Sequence, residues 1–239
     1  ENASVSVSLD GRLQVAAEYV RNGGVVADIG TDHALLPISL LLSSRCRAAI
    51  VSDINRGPLD RAEANAEKYG VTDRISAFLA DGLKTLPLEE HGVTDIVICG
   101  MGGELISSII AASDYTKKSG VRLILQPMTR SADLRRYLAE TGYDIIDETL
   151  VGSGSKIYEC IAAEFDGRTR VISPAEAELG SVNIERGSEN EYFGRFLRSS
   201  YILLCRRIDG MKKGGLSTKE AETLAVEYRK IAERCGIDL

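Results

Sequence analysis

The chain has 239 residues, of which 44% are hydrophobic and 27% charged, and its formal net charge is −6. A chain of this length buries about 70% of its unfolded surface and forms one large domain or a domain with an appendage. This composition excludes disordered, collagen-like and small disulfide-rich proteins. The acidic excess argues against a general nucleic-acid coat protein, which neutralises phosphates with Lys and Arg.

The few cysteines and histidines argue against two kinds of cross-link. The five cysteines are far apart and form no Cys-x-x-Cys pair, and the chain has only two histidines. We therefore expect neither a disulfide framework nor a metal site.

The sequence has no apolar stretch of about 20 residues, and its first residues lack the basic-then-apolar pattern of a signal peptide. These features predict a cytoplasmic protein that does not enter a membrane.

Residues 1–165 alternate between short apolar runs and amphipathic stretches, which predicts an α/β domain with a mostly parallel sheet. The apolar runs are rich in Val and Ile, and they predict strands at Val25–Ile29, Ala48–Asp53, Ile75–Leu79, Asp95–Cys99 and Val121–Gln126. The intervening patterns favour helices near residues 33–43, 58–69, 103–112 and 131–140.

Two further extended runs, Tyr143–Val151 and Lys156–Glu164, have only four residues between them. This connection is too short for a crossover helix, so we expect an antiparallel hairpin at the edge of the sheet.

After residue 165 the sequence becomes polar and then helical, so we place a domain boundary there and assign residues 166–239 to a helical hairpin arm. Apolar residues recur at steps of three and four in two predicted helices, from Phe193 to Met211 and from Ala221 to Cys235. Ser217 and Glu220 have the spacing of a capping box for the second helix. The hairpin is either a functional arm or an element that stabilises the fold or a dimer.

The first predicted strand ends in the run Asp28-Ile29-Gly30-Thr31-Asp32-His33. A glycine at this place allows a cofactor to approach the backbone, and the next helix offers unpaired N–H groups. The run lacks the G-x-G-x-x-G fingerprint of nicotinamide-binding loops, and Asp32 would face a pyrophosphate. A cationic ligand therefore fits better. Taken alone, the run is also compatible with a tight turn whose Asp caps the helix.

Similar residues follow the next three strands. Asp53 closes the second strand, where an acidic side chain can accept hydrogen bonds from both ribose hydroxyls of a nucleoside. Asp81-Gly82 follows the third strand and Gly100-Met101-Gly102-Gly103 the fourth. An Asp-Gly pair by itself is usually a turn. Because the carboxyl ends of parallel strands meet at one crevice, the four sites together predict a cofactor site there.

Five motifs give the chain a resemblance to a known family. They are SLDGRL at 8–13, DIGTDHALLP at 28–37, Asp81-Gly82, CGMGGELI at 99–106 and LILQP at 123–127. With the order of elements, they resemble the class I S-adenosylmethionine-dependent methyltransferases, and more closely the TrmK family of bacterial tRNA (adenine-22-N1)-methyltransferases. The resemblance covers residues 8–165, and the helical hairpin resembles that family's coiled-coil arm.

The resemblance implies a Rossmann-like domain, S-adenosylmethionine as methyl donor, tRNA as substrate and 1-methyladenine as product. It also implies that one set of residues contacts the cofactor: Asp28, Gly30 and His33 at its methionine end, Asp53 at the ribose, Asp81 and Gly82 at the adenine, and Gly100 and Met101 at the sulfonium side. Arg12, Gln126 and Pro127 are the candidates for contact with the target base.

The chemistry of the acceptor bears on the mechanism. Adenine N1 carries an in-plane lone pair that can attack the sulfonium methyl directly, so we expect positioning and desolvation to dominate. A [DNS]-P-P-[FYW] motif, which activates exocyclic amino groups, is absent after the fourth strand, and this lowers the expectation of N6 methylation. Alkylation makes the ring cationic, and we choose Asp32 as the carboxylate that stabilises it. In a folded tRNA the base must first leave its stack.

The charge is distributed unevenly along the chain. Residues 191–239 contain ten Lys and Arg against seven Asp and Glu, whereas residues 1–190 contain 19 against 28. Four arginines on the first arm helix are candidates for contacts with the RNA backbone: Arg195, Arg198, Arg206 and Arg207. A solvated helix face is the alternative interpretation.

Other classes of function stay open at this point. They are another S-adenosylmethionine-dependent RNA methyltransferase, a nicotinamide-binding oxidoreductase, and a non-catalytic tRNA-binding protein. The sequence does not determine the oligomeric state, and a monomer is our working expectation.

Overall fold

The structure, a computed structural model, describes residues 7–239. Seven strands form a single sheet in the order β3-β2-β1-β4-β5-β7-β6. Their bounds are β1 Gly24–Ile29, β2 Cys46–Asp53, β3 Ile75–Leu79, β4 Asp95–Gly102, β5 Arg122–Thr129, β6 Tyr143–Ser153 and β7 Lys156–Phe165. The first five strands run parallel to one another, whereas β7 pairs antiparallel with both β5 and β6. The predicted sheet and its terminal hairpin are confirmed.

Helices connect and follow the strands. They are α1 Gly11–Tyr19, α2 Leu35–Leu42, α3 Arg56–Lys68, α4 Leu88–His91, α5 Gly103–Ala111, α6 Ser131–Glu140, α7 Pro174–Leu179, α8 Ser181–Arg186, α9 Phe193–Lys213 and α10 Lys219–Cys235. Helix α1, which contains Arg12, was not predicted from the sequence. The Asp10 side chain caps α1 by accepting a hydrogen bond from the Leu13 backbone N–H at 2.9 Å.

Two apolar layers cover the two faces of the sheet. One includes residues of α5 and α6, and the other includes residues of α1, α2 and α3. Successive residues of β7 alternate between them, because Cys160 packs in the α1 layer and Ile161 in the α6 layer. Strand β7 therefore presents one side chain to each face in turn.

The long helices α9 and α10 form an antiparallel hairpin. Lys212 pairs with Glu222 at 2.9 Å near the tip, and the Arg198 Nε donates to the Asp238 carbonyl at 2.6 Å near the base. The predicted apolar seam is confirmed by a buried cluster along both helices: Phe193, Leu197, Leu204, Ile208, Ala221, Leu224, Tyr228 and Ile231. Leu150 of β6 and Leu179 of α7 belong to the same cluster. The coiled-coil character of the arm and the boundary at residue 165 stay predictions.

The capping box predicted at Ser217 and Glu220 is wrong. Helix α10 has its N-cap at Thr218 without a side-chain cap bond, so Glu220 stands one position too early for the box. The same sequence pattern does form a box at α7. There the Glu176 N–H donates to the Ser173 hydroxyl at 3.1 Å, and the Ser173 N–H donates to the Glu176 carboxylate at 2.6 Å.

A buried ionic cluster joins α6 to the terminal hairpin. The Arg135 side chain is 1% exposed, and it donates from Nε to Glu148 at 2.9 Å and from Nη2 to Glu159 at 2.8 Å. Its Nη1 donates to the Ala177 carbonyl at 3.1 Å. The guanidinium thus connects helix α6, strands β6 and β7, and helix α7.

Within residues 7–239, no helix combines the length and the apolar character that crossing a membrane requires. The same part of the chain brings no three His, Cys, Asp or Glu side chains together in a way that could hold a metal ion. The five cysteines are free thiols.

Candidate active site

A cavity of about 660 Å³ opens where β1, β4 and β5 end at one edge of the sheet. Its lining includes six residues that the sequence analysis selected: Arg12, Asp28, Gly30, Asp32, His33 and Gly100. Cys99, Met128 and Tyr158 also line it. The prediction that the strand ends bring these residues to one crevice agrees with this geometry.

The end of β1 and the loop after it form one side of the cavity, which we call the acidic wall (Asp28, Asp32 and His33). Gly30 has a φ of +75°, and a Cβ on this residue would come within 2.0 Å of the Met101 side chain. The left-handed backbone favours glycine here, whereas the Met101 methyl group is the mobile end of a side chain and can move. The Gly30 and Thr31 N–H groups donate to the Ser52 carbonyl at 2.8 and 3.0 Å, which ties the loop to β2.

Asp28 is the buried carboxylate of the acidic wall, with 9% of its surface exposed. Burial raises the pKa of Asp28 to about 6, and a side-chain hydrogen bond with Thr31 opposes part of this rise. Within residues 7–239 this carboxylate forms no ion pair with a cationic side chain. A positively charged ligand in the cavity would stabilise its ionised form.

Asp32 is the more exposed carboxylate of the acidic wall. Arg61 of α3 forms an ion pair with it, and His33 Nε2 lies 3.1 Å from its other oxygen. The hydrogen bond from Arg61 lowers the pKa of Asp32. At neutral pH the side chain is therefore an ionised carboxylate that is only a weak base. Asp32 does not cap α2, whose N-cap is Ala34, so the capping interpretation is wrong.

Arg12, Met128 and Tyr158 form the opposite side, which we call the Arg12 wall. The Arg12 Nε lies 3.1 Å from the Asp10 carboxylate, and its Nη1 donates to the Gln126 side-chain oxygen at 3.2 Å. The guanidinium carbon lies 6.0 Å from the centre of the Tyr158 ring. Helix α1, strand β5 and strand β7 together fix the position of this arginine.

Gln126 connects the two strands beneath the Arg12 wall. Its side chain is fully buried, its oxygen also accepts a hydrogen bond from the Gly100 N–H at 3.1 Å, and its nitrogen donates to the Pro127 carbonyl at 3.1 Å. Pro127 is buried and pairs with Met101 in the β4–β5 ladder. In this arrangement, Gln126 affects the cavity through Arg12 and Gly100 rather than by reaching into it.

Four predicted cofactor residues lie at the same edge of the sheet but outside the lining of the cavity: Asp53, Asp81, Gly82 and Met101. Asp53 accepts a hydrogen bond from the Asn55 N–H at 2.7 Å, and its carbonyl accepts one from Ala80 at 3.0 Å. The latter bond places Asp81 beside Asp53. Asp81 pairs with Lys84 at 2.8 Å, and Gly82, with a φ of +64°, packs against Ile109. Their roles stay predictions.

The four arginines predicted to bind RNA lie on α9, outside the cavity lining. Arg195 lies over the ring of Tyr192, with its guanidinium carbon 5.8 Å from the ring centre, and Arg198 is bonded to the end of the chain as described. Arg206 and Arg207 are exposed. Arg207 lines a second cleft together with Arg130 and Arg136 of the sheet domain. Their contact with RNA stays a prediction.

Among the lining residues that were not predicted from the sequence are Asp10 and Tyr158. Asp10 stands inside the SLDGRL motif, and its N-cap position before α1 was a usable signal. Tyr158 belongs to no motif and comes to the cavity only because β7 inserts between β5 and β6.

Comparison with known proteins identifies the family. Residues 9–161 match a family model described as a methyltransferase domain. The chain is 39% identical over 162 residues to a protein of Bacillus subtilis (strain 168) named tRNA (adenine(22)-N(1))-methyltransferase, and the match covers 68% of this chain and 67% of that protein. The chain belongs to the TrmK family of methyltransferases.

Solved structures of TrmK proteins share the fold over nearly the whole chain. The crystal structure of the B. subtilis tRNA methyltransferase TrmK matches with a TM-score of 0.78 and 30% identity, covering 97% of each chain. A Streptococcus pneumoniae structure, described as a putative tRNA methyltransferase in complex with S-adenosyl-L-methionine, matches with a TM-score of 0.79 and 28% identity. It covers 92% of this chain and 97% of that one. The predicted TrmK resemblance and the Rossmann-like fold are confirmed.

Proposed function

We propose that the protein transfers a methyl group from S-adenosylmethionine to N1 of adenine 22 in tRNA, which yields 1-methyladenine. The observation that carries this proposal is a cavity at the strand ends of a TrmK-family chain, lined by a buried carboxylate that forms no ion pair within residues 7–239. The similar B. subtilis protein is named for this activity, and the similar S. pneumoniae structure holds S-adenosyl-L-methionine.

The residues of the acidic wall suit this cofactor. Asp28 offers a buried carboxylate to a cationic group, and Gly30 lets a ligand lie against the backbone. His33 would complete the contacts at the methionine end, and Gly100 and Met101 would lie on the sulfonium side. Because Met101 contacts Gly30 in this structure, its side chain has to turn aside for a ligand that lies along this loop.

Asp53 and Asp81 extend the proposed cofactor site along the edge of the sheet. They lie at the ends of neighbouring strands, where they can accept hydrogen bonds from a ribose and from an adenine amino group. Gly82 turns the chain at Asp81. When bound, the cofactor supplies an electrophilic methyl group on a sulfonium.

The protein's own contribution to the reaction is mainly positioning. Adenine N1 needs no deprotonation before it attacks, so no strong base is required. Asp32 agrees with this requirement, since its lowered pKa keeps it ionised and unsuited to accept a proton. We assign it the electrostatic role of offsetting the positive charge that develops on the methylated ring.

The tRNA is held outside the cavity in this proposal. Arg195, Arg198, Arg206 and Arg207 lie on the exposed surface of α9, in the part of the chain with a basic excess. Such side chains contact phosphates and orient an RNA without reading its sequence. Adenine 22 has to leave its stack and enter the cavity, with Arg12 near the point of entry.

One experiment tests the proposal directly. The purified protein is incubated with an unmodified tRNA transcript and labelled S-adenosylmethionine, and the nucleosides are then analysed. We expect label in 1-methyladenine, and none when adenine 22 is replaced by guanine. Absence of 1-methyladenine from every transcript that carries adenine 22 would reject the proposal. Binding of S-adenosylhomocysteine, and not of NAD, in calorimetry separates it from an oxidoreductase.

A further inference from the structure

The two walls of the cavity differ in charge and in aromatic character. The acidic wall holds Asp28 and Asp32, whereas the opposite wall holds a guanidinium, a thioether and a tyrosine ring. We propose that the Arg12 wall is the binding surface for the target adenine, and that Tyr158 is the aromatic side chain on which this base stacks. The inference rests on the proposed function and deepens it by naming the base-positioning residues.

Electrostatics separates the two ligands. A sulfonium and an ammonium group are attracted to the acidic wall and repelled by Arg12. Adenine is neutral before methyl transfer, so it has no such preference and suits a wall made of an aromatic ring and a thioether. The positive charge that the ring then acquires is offset by Asp32, which lines the same cavity. Asp10 is paired with Arg12, just as Asp32 is paired with Arg61, so the difference in charge between the two walls rests on Asp28, which forms no ion pair within residues 7–239.

Tyr158 has the properties of a stacking residue. Its side chain is half-buried in the wall of the cavity, and its hydroxyl makes no hydrogen bond with any residue in the described range 7–239. Bases that leave a nucleic-acid stack are commonly received between aromatic and apolar side chains. Met128 supplies the apolar partner, since 42% of its surface is exposed at the cavity.

Arg12 is positioned to orient the base once it has stacked. Asp10 and Gln126 engage its Nε and Nη1, and its guanidinium carbon lies 6.0 Å from the centre of the Tyr158 ring, which is longer than a stacking contact. Its Nη2 group has no hydrogen-bond partner within residues 7–239, so it can donate to N3 or N7 of adenine and leave the N1 lone pair to attack the methyl group. Gln126 is then a positioning residue, because the same oxygen that holds Arg12 also accepts from Gly100, on the donor side of the cavity.

The test measures tRNA methylation and cofactor binding separately. Tyr158→Ala is expected to lower kcat/KM for the tRNA at least about tenfold, the effect of losing one base–aromatic stack. The affinity for S-adenosylhomocysteine should stay within about twofold of wild type in calorimetry. Tyr158→Phe keeps the ring and should retain more than about half of kcat/KM.

A matched control exists at the end of α3. Tyr69 is also half-buried and also has a cation over its ring, the Lys68 ammonium at 5.2 Å, but it does not line the cavity. Tyr69→Ala should leave both measurements near wild type. Should Tyr158→Ala fail to fold, as judged by circular dichroism, Met128→Ala serves instead, since this exposed residue can be shortened without opening the core.

The outcomes distinguish this inference from the proposed function. Wild-type activity on the transcript decides the proposed function, and the variants decide only the assignment of the wall. Methylation at the wild-type rate by Tyr158→Ala would overturn the inference. A parallel loss of S-adenosylhomocysteine affinity would also overturn it, because the wall would then belong to the donor. Equal losses in the Phe and Ala variants would overturn the stacking role.

Discussion

Arg61 donates a hydrogen bond to the carboxylate of Asp32 from a position 29 residues further along the chain. This pair joins helix α3 to the loop after β1, and it fixes the ionisation state of the most exposed acidic group in the cavity. A carboxylate with a lowered pKa can stabilise positive charge but is a poor proton acceptor. Protonation of Asp32 should therefore cause no fall in the rate of methylation in the neutral pH range.

Replacing this carboxylate tests its electrostatic role. Asp32→Asn should lower kcat for tRNA methylation about tenfold or more, because the developing charge on the ring loses its partner. Between about pH 6 and 9 the ratio of wild-type to variant rates should be constant, since Asp32 is ionised throughout. Asp60→Asn on α3, which removes an exposed carboxylate paired with Arg56, is the matched control and should have no effect. A ratio that varies with pH would instead indicate a general base.

Asp28 should make cofactor binding depend on pH. Its pKa of about 6 means that the carboxylate becomes protonated in mildly acidic solution, and the neutral form attracts a cationic ligand less. Calorimetry should show the affinity for S-adenosylhomocysteine falling as the pH drops below about 6. Asp28→Asn should bind weakly at all pH values and lose this dependence. A variant that keeps the wild-type pH profile would exclude Asp28 as its source.

The same residue should cost the protein stability. The folded-state pKa of about 6 lies above the ordinary value of 3.8, so folding favours the protonated form and ionisation opposes it. The cost is absent well below pH 4, grows as the pH rises to about 6, and then stays at about 3 kcal/mol. Urea unfolding without cofactor should show Asp28→Asn to be more stable than wild type at pH 8, with a smaller difference at pH 4.5.

Charge reversal on the arm should separate RNA binding from cofactor binding. The double variant Arg206→Glu and Arg207→Glu should weaken tRNA binding at least about tenfold at low salt and reduce its salt dependence. Its affinity for S-adenosylhomocysteine should not change. Asp53→Ala should show the reverse pattern in the same gel-shift and calorimetric measurements. If the two patterns were exchanged, the assignment of cofactor and RNA to these two regions would be wrong.

A control with the same charge change is available at the opposite edge of the sheet. Arg47 lies near the start of β2 and Lys68 at the end of α3, and both are exposed. Reversing both charges should leave tRNA binding within about twofold of wild type. A loss equal to that of the arm variant would indicate an effect of net charge alone.

The buried cluster around Arg135 should be a major contributor to stability. Arg135→Met leaves Glu148 and Glu159 buried without their partner, which should cost about 3–5 kcal/mol in urea unfolding. The neighbouring Arg136→Met removes a partly exposed pair with Asp133 and should cost less than about 1 kcal/mol. Adding Glu148→Gln and Glu159→Gln to the Arg135 variant should restore part of the loss by removing the unpaired charges.

Local patterns allowed most of the sheet to be predicted. Apolar runs located all seven strands, and the four-residue connection located the terminal hairpin. The S-x-x-E pattern was less informative, because it occurs at Ser173 and at Ser217 and forms a box only at the first. The residue at which a helix begins depends on how the helix packs as well as on its first residues. The spacing of Ser and Glu in the sequence contains no information about that packing.

The site was predictable where its residues follow strands and not where they meet by folding. Asp28, Gly30 and Gly100 could be placed because parallel strands end at one edge. The burial that changes the pKa of Asp28 and the contact of Arg61 with Asp32 depend on distant elements. Tyr158 could not be found at all, since its place in the cavity follows from the strand order β5-β7-β6.

The alternation of side chains along β7 links catalysis to folding accuracy. Tyr158 pairs with Val151 in the hairpin and faces α1, and Glu159 pairs with Leu150 and faces Arg135 of α6. A slip of β7 by one residue would bring a carboxylate into the proposed base-binding wall and deprive the buried guanidinium of one of its two carboxylate partners. The buried ion pair therefore favours the register that places the tyrosine in the cavity.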